Sequence, residues 1–576
     1  MSLMTTESCN YHIGGSPILP DNVLEALSEL HDRRSRIFSL PEHGVRISDM
    51  ATLAAASEAN KAQITAQDVL DIVRSLNVLL PECEVSEWHD IIASVQESID
   101  VVEALPDYVP IVDTDRYPRQ NVARPSPDEN PGNAWAWKVR IEGNKDDSGI
   151  LSRIAFALKD NIAVKDVPML VGTDVFTDYI PDTDATLVGR ILEAGGTIHG
   201  KAVCENLSLC ASSFSAATGP VDNPYAKGYT TGGSSSGCGH LVGAGIVDVG
   251  IGGDQGGSIR FPASYCGIVG MKPTWGLVPW TGIMTHDPVH DTAGPMTRTV
   301  ALNAKVLQAI AGRDDIDDRQ YAVPLPANLP NYSASLEKGV SRLKIGILQE
   351  GFAFGVIDPR VKQKILEAAD RFKDLGAEVV PISIPLHTQA GHIVNCALRP
   401  AASQQAYLGK ACGRRALYMT GLTEKMSPLS QDKFDKMFST SKFSLLSGLH
   451  VWSKHPTLYG KAMNLYRRLR DEYDAALRQV DVLITPTTPY VADRHATQDA
   501  GPAEQMARSR GVAVNTVCFN ASGHPAMSLP IGFLPAEDDS SIKLPVGMQI
   551  VGGMFQEEMI YRVGAAWEKT FDWKKL

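Results

Sequence analysis

Gly252-Gly253-Asp254-Gln255-Gly256-Gly257-Ser258-Ile259-Arg260 lies in the densest glycine stretch of the chain, between Gly228 and Gly270. Two glycines directly before a serine let the backbone approach a ligand closely and turn successive N–H groups into one concavity. Such a nest stabilises negative charge developing on a carbonyl oxygen, as acyl transfer requires. A glycine-rich turn with a capping serine is the plain alternative, and Gly-Gly-Ser alone does not decide. A serine nucleophile also needs a base. None of His240, His286, His290 and His524 stands at a telling spacing. A lysine held neutral by burial is the other choice. Lys159 closes the apolar run Ile154-Ala155-Phe156-Ala157-Leu158, which reads as a short buried strand. Its alternative is an exposed strand-end lysine paired with Asp160.

Between these two features lies Gly232-Gly233-Ser234-Ser235-Ser236-Gly237. It suits a flexible loop, a phosphate cradle or a hydroxyl relay. Gly233-x-Ser235-x-Gly237 formally matches the nucleophile elbow, which needs a strand before and a helix after. Lys227-Gly228-Tyr229-Thr230-Thr231 is a poor buried strand, so the relay is the better reading.

Outward from this region, strand and helix patterns alternate. Thr186 to Ala194 reads as a helix ended by Gly195-Gly196, with Thr197-Ile198 as the next strand. Pro359 to Leu375 is a helix stopped by Gly376, and Glu378-Val379-Val380 the strand after it. Val482-Leu483-Ile484 is a strand closed by Thr485-Pro486. This predicts an α/β domain with a mainly buried sheet over 134–576, carrying a helical insertion over about 400–480. Residues 1–110 read as helical: Val23, Leu24, Leu27 and Leu30 behind Asp21, then Ser48 to Ala59, then Ala66, Val69, Ile72, Val73 and Leu76 behind Thr65, then Glu84 to Val102. They form either a cap on the main domain or a dimerisation element. Residues 111–133, with Tyr117-Pro118-Arg119 and Arg124-Pro125-Ser126-Pro127, read as an extended linker.

The formal net charge of −12 argues against nucleic acid as a partner. The 9 cysteines are odd in number and lack a Cys-x-x-Cys pair, so free thiols in a reducing compartment are expected. Met1 to Pro20 lacks the basic and apolar regions of a signal peptide. No apolar run reaches the roughly 18 residues that span a bilayer, so no membrane association is expected. Lys574-Lys575-Leu576 faintly resembles the peroxisomal Ser-Lys-Leu ending, but lysine replaces the small first residue, and cytoplasm is the expected location. Gly195-x-x-x-x-Gly200-Lys201 imitates a phosphate loop, yet Ala202 stands where Ser or Thr should meet magnesium. His286, Asp287 and His290 lack a suitably spaced further ligand. No metal and no cofactor are expected.

Together, Gly232 to Gly237, Gly252 to Pro262 and Cys266-Gly267-Ile268-Val269-Gly270-Met271-Lys272-Pro273-Thr274 resemble the amidase signature family. The step from Ser234 to Ser258 matches the family's spacing. The resemblance covers roughly 151–295 directly. Weaker segments extend it through Asp481 to Pro489, Phe519-Asn520, Gly523 to Ala526 and Leu544 to Gln549. It implies the amidase signature fold, a mixed twisted sheet covered by helices. It implies Ser258 as nucleophile, Ser234 as a bridging serine on a cis peptide and Lys159 as general base. Gln255, Gly256, Gly257 and Ser258 become the oxyanion hole, with Gly233 beside the substrate. Asn133 to Lys138 and Lys201 to Asn206 are similar to broad-range bacterial amidases with a helical N-terminal extension. That similarity implies a homodimer acting on aliphatic and aromatic amides, and because ester and urethane carbonyls share the same tetrahedral geometry, the triad does not separate esters or carbamates from small amides as substrates. The alternative is the amidase-like component of a tRNA amidotransferase complex, against which the helical extension and Gln255 argue. Ser236 and Cys238 depart from the family's Ser-Ser-Gly-Gly and bear on substrate fit.

Overall fold

The computed structural model of the chain describes residues 63–145, 149–497 and 499–576. Tyr108 closes a first compact unit, and Val109 opens a second that runs to Leu576. In the first, Thr65 caps the helix Ala66–Ser75. Its hydroxyl accepts from the Asp68 N–H at 3.2 Å, and its own N–H donates to Asp68 Oδ2 at 2.7 Å. The box satisfies two backbone donors that a bare helix start leaves unpaired. The single helix expected over Glu84 to Val102 is two, Val85–Ala93 and Gln96–Ala104. At the break the Ser94 hydroxyl donates to the Ile91 carbonyl at 2.6 Å, competing with the helical ladder. The helices expected around Val23 and over Ser48 to Ala59 lie outside the described residues.

The second unit is built on a mixed sheet. Its strands in chain order are β1 Gln120–Ala123, β2 Trp135–Ile141, β3 Ala155–Lys159, β4 Thr197–Ala202, β5 Asp222–Asn223, β6 Ala226–Thr230, β7 Val249–Asp254, β8 Val269–Lys272, β9 Thr292–Thr297, β10 Lys344–Leu348, β11 Glu378–Ile382, β12 Val482–Pro486, β13 Ala526–Pro535 and β14 Lys543–Val551. The large sheet runs β1-β2-β4-β3-β7-β9-β8-β13-β14-β12-β10-β11, while β5 and β6 form a separate ribbon. β3 is parallel to both β4 and β7, and β10 is parallel to both β11 and β12. The expected α/β architecture is present. Phe156, Leu158 and Ile251 of the middle strands share one apolar core with Leu187, Val188, Ile191 and Leu192 of the helix Thr186–Glu193. Spacing by three and four residues puts those four on one helix face.

Two local expectations change. The segment read as plain linker supplies β1, the sheet's outermost strand, antiparallel to β2. Lys227 to Thr231 lies almost wholly in a true strand, β6, but one outside the main sheet. Between β11 and β12 lie the helices Ala390–Ala402, Thr420–Met426, Gln431–Lys436, Ser439–Lys454 and Leu458–Leu477. The described cysteines are all free thiols. Among the described residues no helix is long and apolar enough to cross a membrane.

Candidate active site

β3 and β7 are parallel neighbours with Leu158 opposite Ile251, so both leave the sheet at the same edge. That edge, beyond the carboxyl ends of parallel strands, is where α/β sheets open a crevice. Lys159 is the last residue of β3 and is wholly buried. Its Nζ lies 2.7 Å from Ser234 Oγ and 3.2 Å from the Gly253 carbonyl oxygen. Burial lowers its pKa, outweighing the groups that would raise it. Those groups are weak counterions. Burial pushes the Cys204 thiol up and the Cys238 thiol to about 12, so both are neutral. Asp254 is committed to Arg260, and Glu205, whose pKa burial raises, accepts from the hydroxyls of Ser215 and Ser236. Asp160, the partner in the exposed-lysine reading, instead pairs with Lys201 at 3.1 Å, both fully buried. The other Asp160 oxygen accepts the N–H groups of Leu170 and Val171 at 2.9 and 3.0 Å.

Ser234 is also buried, and the Gly233–Ser234 peptide is cis. It enters the helix Ser236–Gly243 directly beyond the exit of β4, where the Glu205 N–H donates to the Ser234 carbonyl at 3.2 Å. The structure therefore brings Lys159 and Ser234 together. Ser258 stands apart from that contact. It is half-buried on the wall of a cavity of about 460 Å³, beside Gln255 and Gly256, and its hydroxyl bonds to no described residue.

One of the expected amide donors, Gly257, and the N–H of Gly233, expected beside the substrate, are already used. The Gly257 N–H donates to Asp254 Oδ1 at 2.7 Å, and the Gly233 N–H donates to the Ala211 carbonyl at 2.9 Å. The N–H groups of Gln255, Gly256 and Ser258 have no acceptor among the described residues. Gly257 has φ +138°, and a Cβ there would sit 2.2 Å from Phe261 Cζ. Gly257→Ala is therefore expected to cost roughly 2–4 kcal/mol of stability through strain and overlap. Thermal unfolding together with hydrolysis rates checks this, and both should fall.

Beneath the loop lies a buried ion pair. Arg260 holds Asp254 through two bonds of 3.0 and 2.9 Å and also reaches the Thr516 carbonyl, Gln549 and Asn520. Burial would raise the Asp254 pKa, but Arg260 overrides it and holds the carboxyl at about 2. A buried charge persists only when paired and hydrogen-bonded in this way. The Asn520 side chain donates to both the carbonyl and the carboxylate of Asp254 at 3.0 and 2.9 Å. Gln549 donates to Thr485 at 2.9 Å. Asn520, and Thr485 through Gln549, thus brace the loop. The Gln255 side chain donates to Asp291 at 2.9 Å, which fixes its direction.

The histidines are occupied elsewhere. His240 meets the Asp222 carbonyl, His290 meets Asp287 and Tyr466, and His524 meets Ser522 and Asp474. His286 does line the cavity, with Nε2 2.7 Å from the Leu207 carbonyl oxygen, and burial takes its pKa to about 4. It bonds to neither Ser234 nor Ser258. Ser236 and Cys238 are not cavity walls. Ser236 donates to buried Glu205 at 2.7 Å, and Cys238 packs on the Ile251 carbonyl. Arg399, Phe443 and Arg510 also line the cavity. They come from helices between β11 and β12 and from a loop distant in sequence, and no sequence pattern marks them.

The Amidase family model matches residues 118–561. The chain is similar to the enantioselective amidase of Rhodococcus rhodochrous, at 35% identity over 78% of this chain and 85% of that protein. It is also similar to a glutamyl-tRNA(Gln) amidotransferase subunit of Synechococcus sp. (strain RCC307), at 34% identity over 74% of this chain and 85% of that protein. Among solved structures, the native peptide amidase of Stenotrophomonas maltophilia superposes with a TM-score of 0.57 at 28% identity, covering 73% of this chain and 82% of that one. The matched span takes in Lys159, Ser234, Ser258 and the ion pair beneath them, and so the chain belongs to the amidase family and is an amide-hydrolysing enzyme.

Proposed function

We propose that the chain hydrolyses carboxylic amides of small to medium size through an acyl-enzyme on Ser258. The amine of Lys159 takes the Ser234 proton as Ser234 takes that of Ser258. Ser258 Oγ then attacks the amide carbonyl. The oxyanion forms against the N–H groups of Gln255, Gly256 and Ser258, preorganised donors that need no rearrangement as charge develops. The proton returns through Ser234 to the leaving nitrogen, the C–N bond breaks, and the amine departs. Water then gives a proton to the same relay and adds to the acyl carbonyl. Ser258 regains its proton as the acid leaves. The observation that supports this best is a buried amine in no ion pair among the described residues, 2.7 Å from Ser234 Oγ. Esters and carbamates pass through the same tetrahedral geometry and belong to the proposed range. The working unit in this reading is a cytoplasmic homodimer.

One finding favours a second reading. The relatives include amidotransferase subunits, and such a chain would act only within a complex. The purified chain alone, given a panel of aliphatic, aryl, carbamate and ester substrates, separates the two. Turnover with an acyl adduct at Ser258 by mass spectrometry supports the hydrolase, and an inert chain rejects it. The pH dependence is a further expected result. The base form of Lys159 accumulates as pH rises through its lowered pKa, so kcat/KM should rise towards alkaline pH and level off below the ordinary lysine value of 10.5.

A further inference from the structure

The walls of the Ser258 cavity include two arginines, Arg399 and Arg510, and no aspartate or glutamate. This is unusual for a chain of net charge −12. Neither guanidinium forms an ion pair among the described residues. Arg399, in the last turn of the helix Ala390–Ala402, is half-buried and sits 4.1 Å from the ring centroid of Phe443, another wall residue. Its Nε donates to Asn395 Oδ1 at 3.1 Å. A guanidinium carries five N–H donors, and the four on its terminal nitrogens have no acceptor among the described residues. Arg510 is exposed, and its side chain has no hydrogen-bond partner among the described residues. A place near a helix C-terminus accounts for a cation at position 399 through the weak pull of the macrodipole. It does not account for a second unpaired arginine on the same cavity, nor for the missing carboxylates.

We propose that Arg399 and Arg510 form a carboxylate-binding subsite, so that preferred substrates are amides carrying a carboxylate elsewhere in the molecule. This rests on the amidase reading of Ser258 for turnover, though not for binding. Arg399 is the main anchor. Its plane is set by Phe443 and Asn395, leaving the fork that matches a carboxylate bidentately. Arg510, at the exposed side, adds charge and draws the anion in. The uncharged cavity walls, Leu398 and Val517 among them, take the carbon chain between the two polar ends.

The test uses mono-amides of dicarboxylic acids, from succinamate to suberamate, each paired with the neutral amide in which an isopropyl group replaces the carboxylate. Calorimetric titration of Ser258→Ala protein measures binding without turnover. The best acidic amide should bind roughly 10–100-fold more tightly than its neutral partner, as a charge-assisted hydrogen-bonded pair gives. Arg399→Gln should bring that ratio close to one, Arg399→Lys should leave an intermediate value, and Arg510→Gln should reduce it less. With Ser258 intact, the same preference should appear in kcat/KM, mainly through KM. Equal or weaker binding of every acidic amide, or a preference that survives both glutamine variants, overturns the subsite. Selective binding with no hydrolysis of any pair would keep the subsite and reject the amidase reading instead.

Discussion

Ser258→Ala is expected to lower kcat by roughly four to six orders of magnitude, the loss seen when a serine hydrolase loses its nucleophile. The protein should remain folded. The Ser258 hydroxyl bonds to no described residue and borders the cavity, so removing it unpairs no buried group. The loop that carries it is held by other atoms. Asp254 accepts from the Gly257 and Ile259 N–H groups at 2.7 and 3.1 Å, and Arg260 locks that carboxylate from below. Thermal unfolding should therefore match the parent within about 0.5 kcal/mol, as for a substitution that removes no packed or bonded group. Activity and stability separate cleanly here. A variant that kept more than a hundredth of the parent rate, with no acyl adduct at Ser258 in the parent, would remove Ser258 from the chemistry.

Lys159→Met is the second large effect. Methionine has nearly the same length and no amine, so the space stays filled while the proton acceptor goes, and with it the bonds to Ser234 and the Gly253 carbonyl. The rate should fall about as far as with Ser258→Ala, because an undeprotonated serine hydroxyl is a weak nucleophile. Stability should move the other way. The folded lysine has its pKa lowered by burial, while the unfolded lysine titrates near 10.5. Between those values the unfolded chain binds more protons, so this lysine destabilises the fold at low pH, and the penalty fades as pH approaches 10.5. Lys159→Met should therefore be more stable than the parent at neutral and acidic pH, with the gap closing above pH 10. Denaturant midpoints at several pH values measure it. A gap that widened with pH would mean that the amine is charged and paired in the folded state.

Much of the fold was legible because the pattern was local. The run Phe156-Ala157-Leu158 gives a strand buried on both faces, and the helix over Thr186 to Glu193 shows its apolar spacing in eight residues. Gly195 and Gly376 mark the ends of their helices, with φ +93° and +84°. Where a side chain competed with the ladder, as Ser94 does, one expected helix became two. Strand β1 is not legible in the sequence because an edge strand of four residues, mostly exposed, carries no apolar alternation. The elbow-like Ser235 illustrates the opposite limit. Its pattern is intact, but its hydroxyl turns to the Gly253 carbonyl at 3.4 Å and is buried away from the cavity.

Chemistry-bearing residue types and their order along the chain were properties of the sequence: a lysine ending an apolar strand, a serine-rich turn, a serine behind two glycines. Short-range sterics and hydrogen bonding act over a few residues, and they leave their mark in the letters themselves. Which carboxylate meets which cation was settled only by the tertiary structure. Asp160 turned from its neighbour Lys159 to Lys201, Asp254 took the Gly257 amide from the expected nest, and the arginines of the cavity arrived from a separate helix and a distant loop. Charge pairing and burial depend on distances between segments far apart in the chain, and those distances exist only once the sheet has brought the segments to one edge.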